Sequence, residues 1–260
     1  MINNCRLELE DRGLLSALPD LPREFLTYSR PEEVAVDWHH TENQGPIGSC
    51  QGNDLSSCLE RLRKVLGLTV EQLSRIFAYL ATQKLDGLLG RDQGSTISGG
   101  VKLALSTGVP PEAMTGYPTS YPGSSERSRI LSPENYEAGA PYKAVSSWKV
   151  PEDPEEACNF IGGGGAISLG IVWYSGIIPR DRIVRSYSVN ARGGGHAIAV
   201  LGYDKDGNLI PVNSHGDGPF KITPDAWRGM MRHRYTAAIG LVGTTEPTPV
   251  DWLNNSPYFG

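Results

Sequence analysis

Cysteine is scarce in this chain and unpaired: Cys5, Cys50, Cys58 and Cys158 are the only four among 260 residues, and no two stand as CxxC. Such a set can neither staple a small scaffold nor build a zinc ribbon. In a reducing compartment each thiol is then either a small buried apolar residue or a reactive group. Long apolar runs are missing too, since nothing approaches the roughly 18 residues that a spanning helix needs. The charged opening Met1 to Gly13 (MINNCRLELEDRG) lacks the apolar centre of a secretory signal. Excess positive charge is also absent: 24 Lys and Arg stand against 29 Asp and Glu, a formal net charge of −5, so neither nucleic acid nor a membrane is an expected partner. What remains is a globular chain, 39% apolar, with material for one substantial core or two lobes sharing one, and an expected cytoplasmic location.

Helical signals dominate the first half. Leu55, Cys58, Leu59, Leu62 and Val65 recur at steps of three and four from Asn53 until Gly67 supplies a stop. Thr69 with Gln72 fits a capping box ahead of Val70, Leu73, Ile76, Phe77 and Leu80, a second helix running to Gly87. A third is expected after Ser98-Gly99-Gly100, through Val101 and Leu105, ending at Gly108 before Pro110-Pro111. Tyr117 to Tyr142 is rich in Pro, Ser and Gly and reads as loop. Beyond Gly165 the pattern changes to short glycine-bounded, β-branched runs, Ala166 to Trp173 and His196 to Tyr203, as buried strands are. Asp204 to Asn208 turns the chain into Leu209 to Val212, with Phe220 to Ile222 and Tyr235 to Val242 as further strands. Helices first and strands second predict an α+β fold of two lobes and exclude a βαβ winding.

Asn43-Gln44-Gly45-Pro46-Ile47-Gly48-Ser49-Cys50 delivers a thiol through a glycine-rich loop into the first helix. Unpaired N–H groups and aligned peptide dipoles at a helix start favour thiolate over thiol. His196 opens a strand directly after Gly193-Gly194-Gly195, placed to act as the partner base. Asn213, at the far end of the hairpin that His196 begins, returns beside it to orient the ring.

These segments resemble the papain-like cysteine peptidases, the clan of papain and the cathepsins. That family's NQGxCGSCW segment, helix-opening glycine pair, HAxxxxGY strand and NSWG segment are matched by Asn43 to Gln51, Gly99-Gly100, His196 to Tyr203 and Asn213 to Gly216. The 146 residues between Cys50 and His196 fall within the roughly 130–150 of the family. The resemblance runs from about Val36 to Val242. It implies a two-lobed fold with the active site in a cleft between an N-terminal helical lobe and a C-terminal antiparallel β lobe. It also implies hydrolysis of peptide bonds through an acyl-enzyme: Cys50 as nucleophile, His196 as base and acid, Asn213 holding the imidazole, and Gln44 donating to the oxyanion. Gly99 and Gly100 would line the cleft, and Val101 and Ala197 would border a substrate pocket, for a peptide or protein substrate. The implied divisions are an extension over 1–35, a peptidase domain over 36–243 (lobes meeting near 145–146) and a C-terminal tail over 244–260.

Departures from the pattern qualify that reading. Ile47 replaces a half-cystine, in line with an intracellular protein, and Gln51 replaces an aromatic residue. His215 stands where the family has the Trp that covers the Asn–His bond, which predicts a wetter bond. Pro211 predicts an edge strand or bulge. About 35 residues precede the match, too few for the long helical propeptide of secreted members. The layout is that of propeptide-less prokaryotic or viral relatives, the latter implying a virion-associated location. The second reading is a catalytically weak domain serving a larger assembly; acyl transfer through the same thioester is a third. Cys58 falls on the apolar stripe, and Cys5 and Cys158 read as structural. His39, His40, His215 and His233 show no metal-ligand spacing, so no metal and no cofactor are assigned. Asp204, Asp206 and Asn208 fail as a calcium loop, because Gly207 and His215 fall where that loop requires other residues. Gly162 to Gly165 lack the Lys of a phosphate loop. Gly48-Ser49-Cys50-Gln51-Gly52 matches a nucleophile elbow, but the polar His39 to Pro46 cannot supply the buried strand that elbow needs.

Overall fold

The computed structural model describes residues 5–21, 30–188 and 193–243; the expected C-terminal tail lies outside them. In chain order, a 3₁₀ turn Leu7–Leu9 and helix α1 (Arg12–Ala17) precede the helical half. That half contains α2 (Cys50–Val65), α3 (Arg75–Leu85), α4 (Ile97–Ser106), α5 (Glu112–Thr115), α6 (Ser124–Ile130) and α7 (Pro133–Gly139). Then come β1 (Ser146–Lys149), α8 (Pro154–Gly162), β2 (Ala166–Trp173), β3 (Ile183–Val184), β4 (Gly194–Tyr203), β5 (Leu209–Val212), β6 (Lys221–Ile222), α9 (Pro224–Met231) and β7 (Ala237–Val242).

The strands form one sheet in the order β1-β7-β2-β4-β5-β6-β3, antiparallel except for the β3–β6 pair. Its two faces account for the unbroken apolar runs. Ala197, Ala199 and Leu201 of β4 join the core beneath α2, α3 and α4, while Ile198 and Val200 between them join a second core with Phe160 of α8 and Trp227 of α9. A strand buried on both faces has no polar side to alternate with. The chain is thus α+β, a helical layer on one face of the sheet and two helices on the other.

Several boundaries differ from the sequence expectation. Helix α2 begins at Cys50, three residues before the apolar stripe does. Helix α3 is capped by Ser74, whose hydroxyl accepts from Phe77 N–H at 3.1 Å, so Thr69 and Gln72 lie before the helix. The segment read as loop contains α6 and α7; Ser132 caps α7 and Pro133 takes the first helical position, where its missing N–H costs nothing. Asp153-Pro154 starts α8 and Thr223-Pro224 starts α9 by the same device. Pro211 sits opposite a register shift in β4 between Val200 and Gly202; this is the bulge alternative, since β5 has strands on both sides.

Candidate active site

The loop before α2 is tied down residue by residue. Gly45 adopts φ 58° at its turn. The Gly48 N–H donates to both oxygens of Asp92 at 3.0 and 3.1 Å, and Asp92 is held in turn by the Tyr79 hydroxyl at 2.7 Å. The Tyr117 hydroxyl donates to Gln44 O at 3.0 Å and lies 2.7 Å from Ser49 Oγ. Cys50, first residue of α2, is fully buried at the end of this braced loop.

Helix α2 lies against β4. The β4–β5 hairpin pairs Ala199 with Val212, which returns Asn213 to the end of β4 that carries His196. His196 Nε2 and Asn213 Oδ1 are 2.9 Å apart. The Asn213 amide nitrogen faces Asp217 Oδ1 at 3.1 Å and His215 Nδ1 at 3.2 Å, which turns its oxygen to the His196 ring. Nε2 therefore carries the proton, and Nδ1, buried without a hydrogen-bond partner, keeps its lone pair. His215 stacks on His196 at 4.4 Å and 25°, and Trp173 packs edge-on to it at 4.5 Å. The expected wet Asn–His bond is not found: His196 is 0% and Asn213 2% exposed. Burial first, then neighbouring His215, pushes the His196 pKa down to about 3, so the ring is neutral in this closed state.

Gln44 joins the loop to the Asn213 segment. Its Oε1 accepts from Ser214 Oγ at 2.6 Å, its Nε2 donates to Ile47 O at 2.8 Å, and its backbone N–H donates to Ser214 O at 2.8 Å. Cys50's helix start, His196, Asn213 and Gln44 thus belong to one connected region. The other expected residues are placed differently. Gly99 and Gly100 lie inside α4, and a Cβ there would fall 2.2 Å from Asp86 Oδ1 and 1.8 Å from Gln51 Nε2 respectively. They are packing glycines where cleft-lining ones were expected. Gln51 fills the space beside Gly100 and accepts from Ser95 Oγ at 3.0 Å, which explains a polar residue where the family pattern has an aromatic one. Val101 is buried in the helical core, and Ala197 lines a small internal cavity with Asn53, Asp54 and Asn213. Trp173, Tyr117 and Asp92 escaped sequence reasoning, because each reaches the site from an element whose packing is not written in local spacing.

The N-terminal segment crosses this region. Cys5 N–H donates to Gly195 O at 2.8 Å, next to His196, and Arg6 N–H donates to Ser95 O at 2.9 Å, against Gln51 and so next to Cys50. A Cβ on Gly195 would fall 1.8 Å from Cys5 O, so only glycine admits the segment this closely. Proximity to Cys50 contributes, after burial and Glu10, to raising the Cys5 thiol pKa. Glu10 anchors the stretch by accepting from Ile97 and Ser98 N–H, at 2.7 and 2.9 Å, at the start of α4. The described part of the N-terminal extension thus covers the candidate site through an extended stretch at Cys5 and Arg6, ahead of the 3₁₀ turn Leu7–Leu9.

No protein-family model and no curated protein sequence matches the chain. Solved structures do. Xylellain, a cysteine protease from Xylella fastidiosa, superposes with a TM-score of 0.77 at 21% identity, covering 94% of this chain and 97% of that one. A cysteine protease of Carica candamarcensis gives 0.60 at 16% identity, over 82% and 99%. Digestive procathepsin L 3 of Tenebrio molitor gives 0.65 at 14%, over 89% and 78%. The similarity is in backbone path, at identities where sequence alone is mute.

Proposed function

The chain has the papain-like fold, and from that premise we propose that it is a cysteine-type endopeptidase acting on peptide or protein substrates through Cys50, His196 and Asn213. The observation that carries the reading is the state of His196: Nε2 committed to Asn213, Nδ1 buried with its lone pair uncommitted, on the strand against the helix that starts at Cys50. In the proposed reaction Nδ1 takes the Cys50 thiol proton and the thiolate sulfur bonds to the scissile carbonyl carbon, moving the C=O electrons onto oxygen. The Cys50 N–H and the Gln44 amide receive that oxyanion. The carbonyl re-forms as the C–N bond breaks and His196 gives its proton to the leaving amine; water then cleaves the thioester with His196 again as base. The helix start supports the thiolate and Asn213 supports the imidazolium, so both members of the pair have a fixed partner.

A second reading, a silent domain with a binding role, is favoured by the complete burial of Cys50 and His196 beneath the N-terminal segment. Peptide-library cleavage by the wild-type chain and by Cys50→Ala separates the two. Cleavage that disappears in Cys50→Ala supports the peptidase; none from either protein, even with the segment displaced, supports the silent domain. An added amine nucleophile that captures the acyl group in preference to water would instead indicate a transferase.

A further inference from the structure

Two histidines and two glutamates meet on the far side of the Gln44 loop: His39, His40 and Glu42, with Glu60 from α2. One donor atom from each lies within 4.8 Å of all the others, the one such group among the described residues. His39 Nε2 is 3.6 Å and His40 Nε2 3.9 Å from Glu60 Oε2. His40 Nε2 is 2.5 Å from Glu42 Oε1.

Two of these atoms are orphans. The side chains of His39 and Glu60 are 2% and 0% exposed, yet His39 Nε2 and Glu60 Oε2 have no hydrogen-bond partner. A buried nitrogen lone pair and a buried carboxyl oxygen facing one another cost free energy unless a hydrogen-bond donor or a cation binds both. The surroundings hold both in place. Leu73 N–H fixes Glu60 Oε1 at 2.8 Å, so Oε2 is the oxygen left toward the histidines. The His39 ring is stacked on His40 at 4.8 Å and 10°, with Trp38 edge-on at 5.3 Å. Arg75 bridges Glu42 and Glu112, so this ion triad carries one net negative charge beside the two histidines.

We propose that His39, His40, Glu42 and Glu60 form a binding site for a divalent transition ion, of which zinc is the best fit. Neutral imidazoles with carboxylates suit a borderline cation. Tetrahedral bonds of about 2.0–2.2 Å put ligand atoms roughly 3.3–3.6 Å apart, close to the His–Glu60 separations. The His40–Glu42 hydrogen bond has to open, and Glu42 Oε1 has to loosen from Gln72 Nε2, now at 3.4 Å. The role is structural. Glu42 O accepts from Gly216 N–H at 2.8 Å, Asn43 bridges His215, and Gln44 lies two residues beyond Glu42, so the ion would fasten this strand to α2 beside both the oxyanion donor and the Asn213 segment.

The test is titration of the full chain with Zn²⁺, in a Cys50→Ala background so that the nucleophile cannot bind the metal, followed by calorimetry and thermal unfolding. The expected result is one equivalent bound with micromolar or tighter Kd, and a rise in Tm that EDTA reverses. His39→Ala and Glu60→Gln should each weaken binding by 100-fold or more and abolish the rise. His40→Ala, at a half-exposed residue, gives the same reading if either buried variant fails to fold. No binding, binding unchanged in His40→Ala and the other folded variants, or tighter binding of Ca²⁺ than of Zn²⁺ would overturn the assignment. The outcome is independent of whether Cys50 catalyses anything.

Discussion

Replacing Cys5 by proline should open the site, and the size of the effect follows from the contacts that close it. The Cys5 and Arg6 backbone bonds contribute about 1 kcal/mol each net, and burial of Leu7 roughly 2 kcal/mol. Ordering residues 5–7 costs about 1–2 kcal/mol per residue, which nearly cancels these gains. Glu10 then decides. Its two charge-assisted bonds to the start of α4 are worth about 1.5 kcal/mol or more each, less the burial that raises its pKa. A net preference for closure of about 2–3 kcal/mol leaves on the order of 1% of molecules open. Proline at position 5 removes the N–H that Gly195 O accepts and strands that carbonyl, shifting the balance by about 1–3 kcal/mol. The rate of Cys50 alkylation by a thiol-directed epoxide, with peptide cleavage in parallel, should rise about tenfold. Cys5→Ser keeps the backbone donor and should remain as closed as the wild type. Unchanged labelling in a folded Cys5→Pro protein, or equal acceleration by Cys5→Ser, would refute the reasoning.

Three further outcomes follow from other parts of the structure. Asp54 is buried with Ser168 and Cys58 as hydrogen-bond partners and Glu10 nearby, and burial raises its pKa to about 8. A carboxyl raised in the folded state stabilises the fold fully below its unfolded value and loses that contribution as pH rises through the folded one, here between about pH 4 and 8. Asp54→Asn, which mimics the protonated form, should flatten that decline and stabilise the protein by up to about 4 kcal/mol at pH 7, checked by urea unfolding at pH 5, 7 and 8; an unchanged slope counts against it. Gly52 faces α3 so closely that a Cβ would lie 2.3 Å from Arg75 O and 2.8 Å from Tyr79 N, both backbone atoms that cannot yield. Gly52→Ala should cost about 3 kcal/mol or more in the same assay. His215→Phe retains a ring over His196 but removes the charge that helps lower its pKa. The basic limb of the kcat/KM profile should then move to higher pH, and a shift in the opposite direction would show that His215 stabilises the imidazolium.

The elements legible in the sequence are those whose periodicity belongs to one surface. The stripe from Leu55 to Leu62 faces a single core, and the β2 and β4 runs are apolar apart from Ser168 and His196 because both faces of the sheet are covered. Helices α6 and α7 were not legible. They are short, draped on the core by few residues, and begin at Gly123 and at Ser132-Pro133, signals that turns share. At the site, the meeting of His196 with Asn213 was legible because a hairpin's register is local information. Gly99-Gly100 misled for the opposite reason: the same pair serves an open cleft or a tight helix contact, and the choice rests on Gln51 and Asp86, far away in sequence.

The same distinction explains why closure of the site was invisible in the sequence. The segment Cys5 to Leu7 has neither strand periodicity nor any partner near it in the chain; its hydrogen bonds go to Ser95 and Gly195, and its anchor Glu10 reaches Ile97. The missing Cβ of Gly195 is the space that Cys5 O occupies, a close backbone approach whose partner lies 190 residues away in the chain. With the segment in place His196 is dry and neutral, and burial disfavours its imidazolium form. On the peptidase reading proposed above, withdrawal of the segment would admit water and substrate together, so that the charge separation needed for attack becomes favourable when there is something to attack.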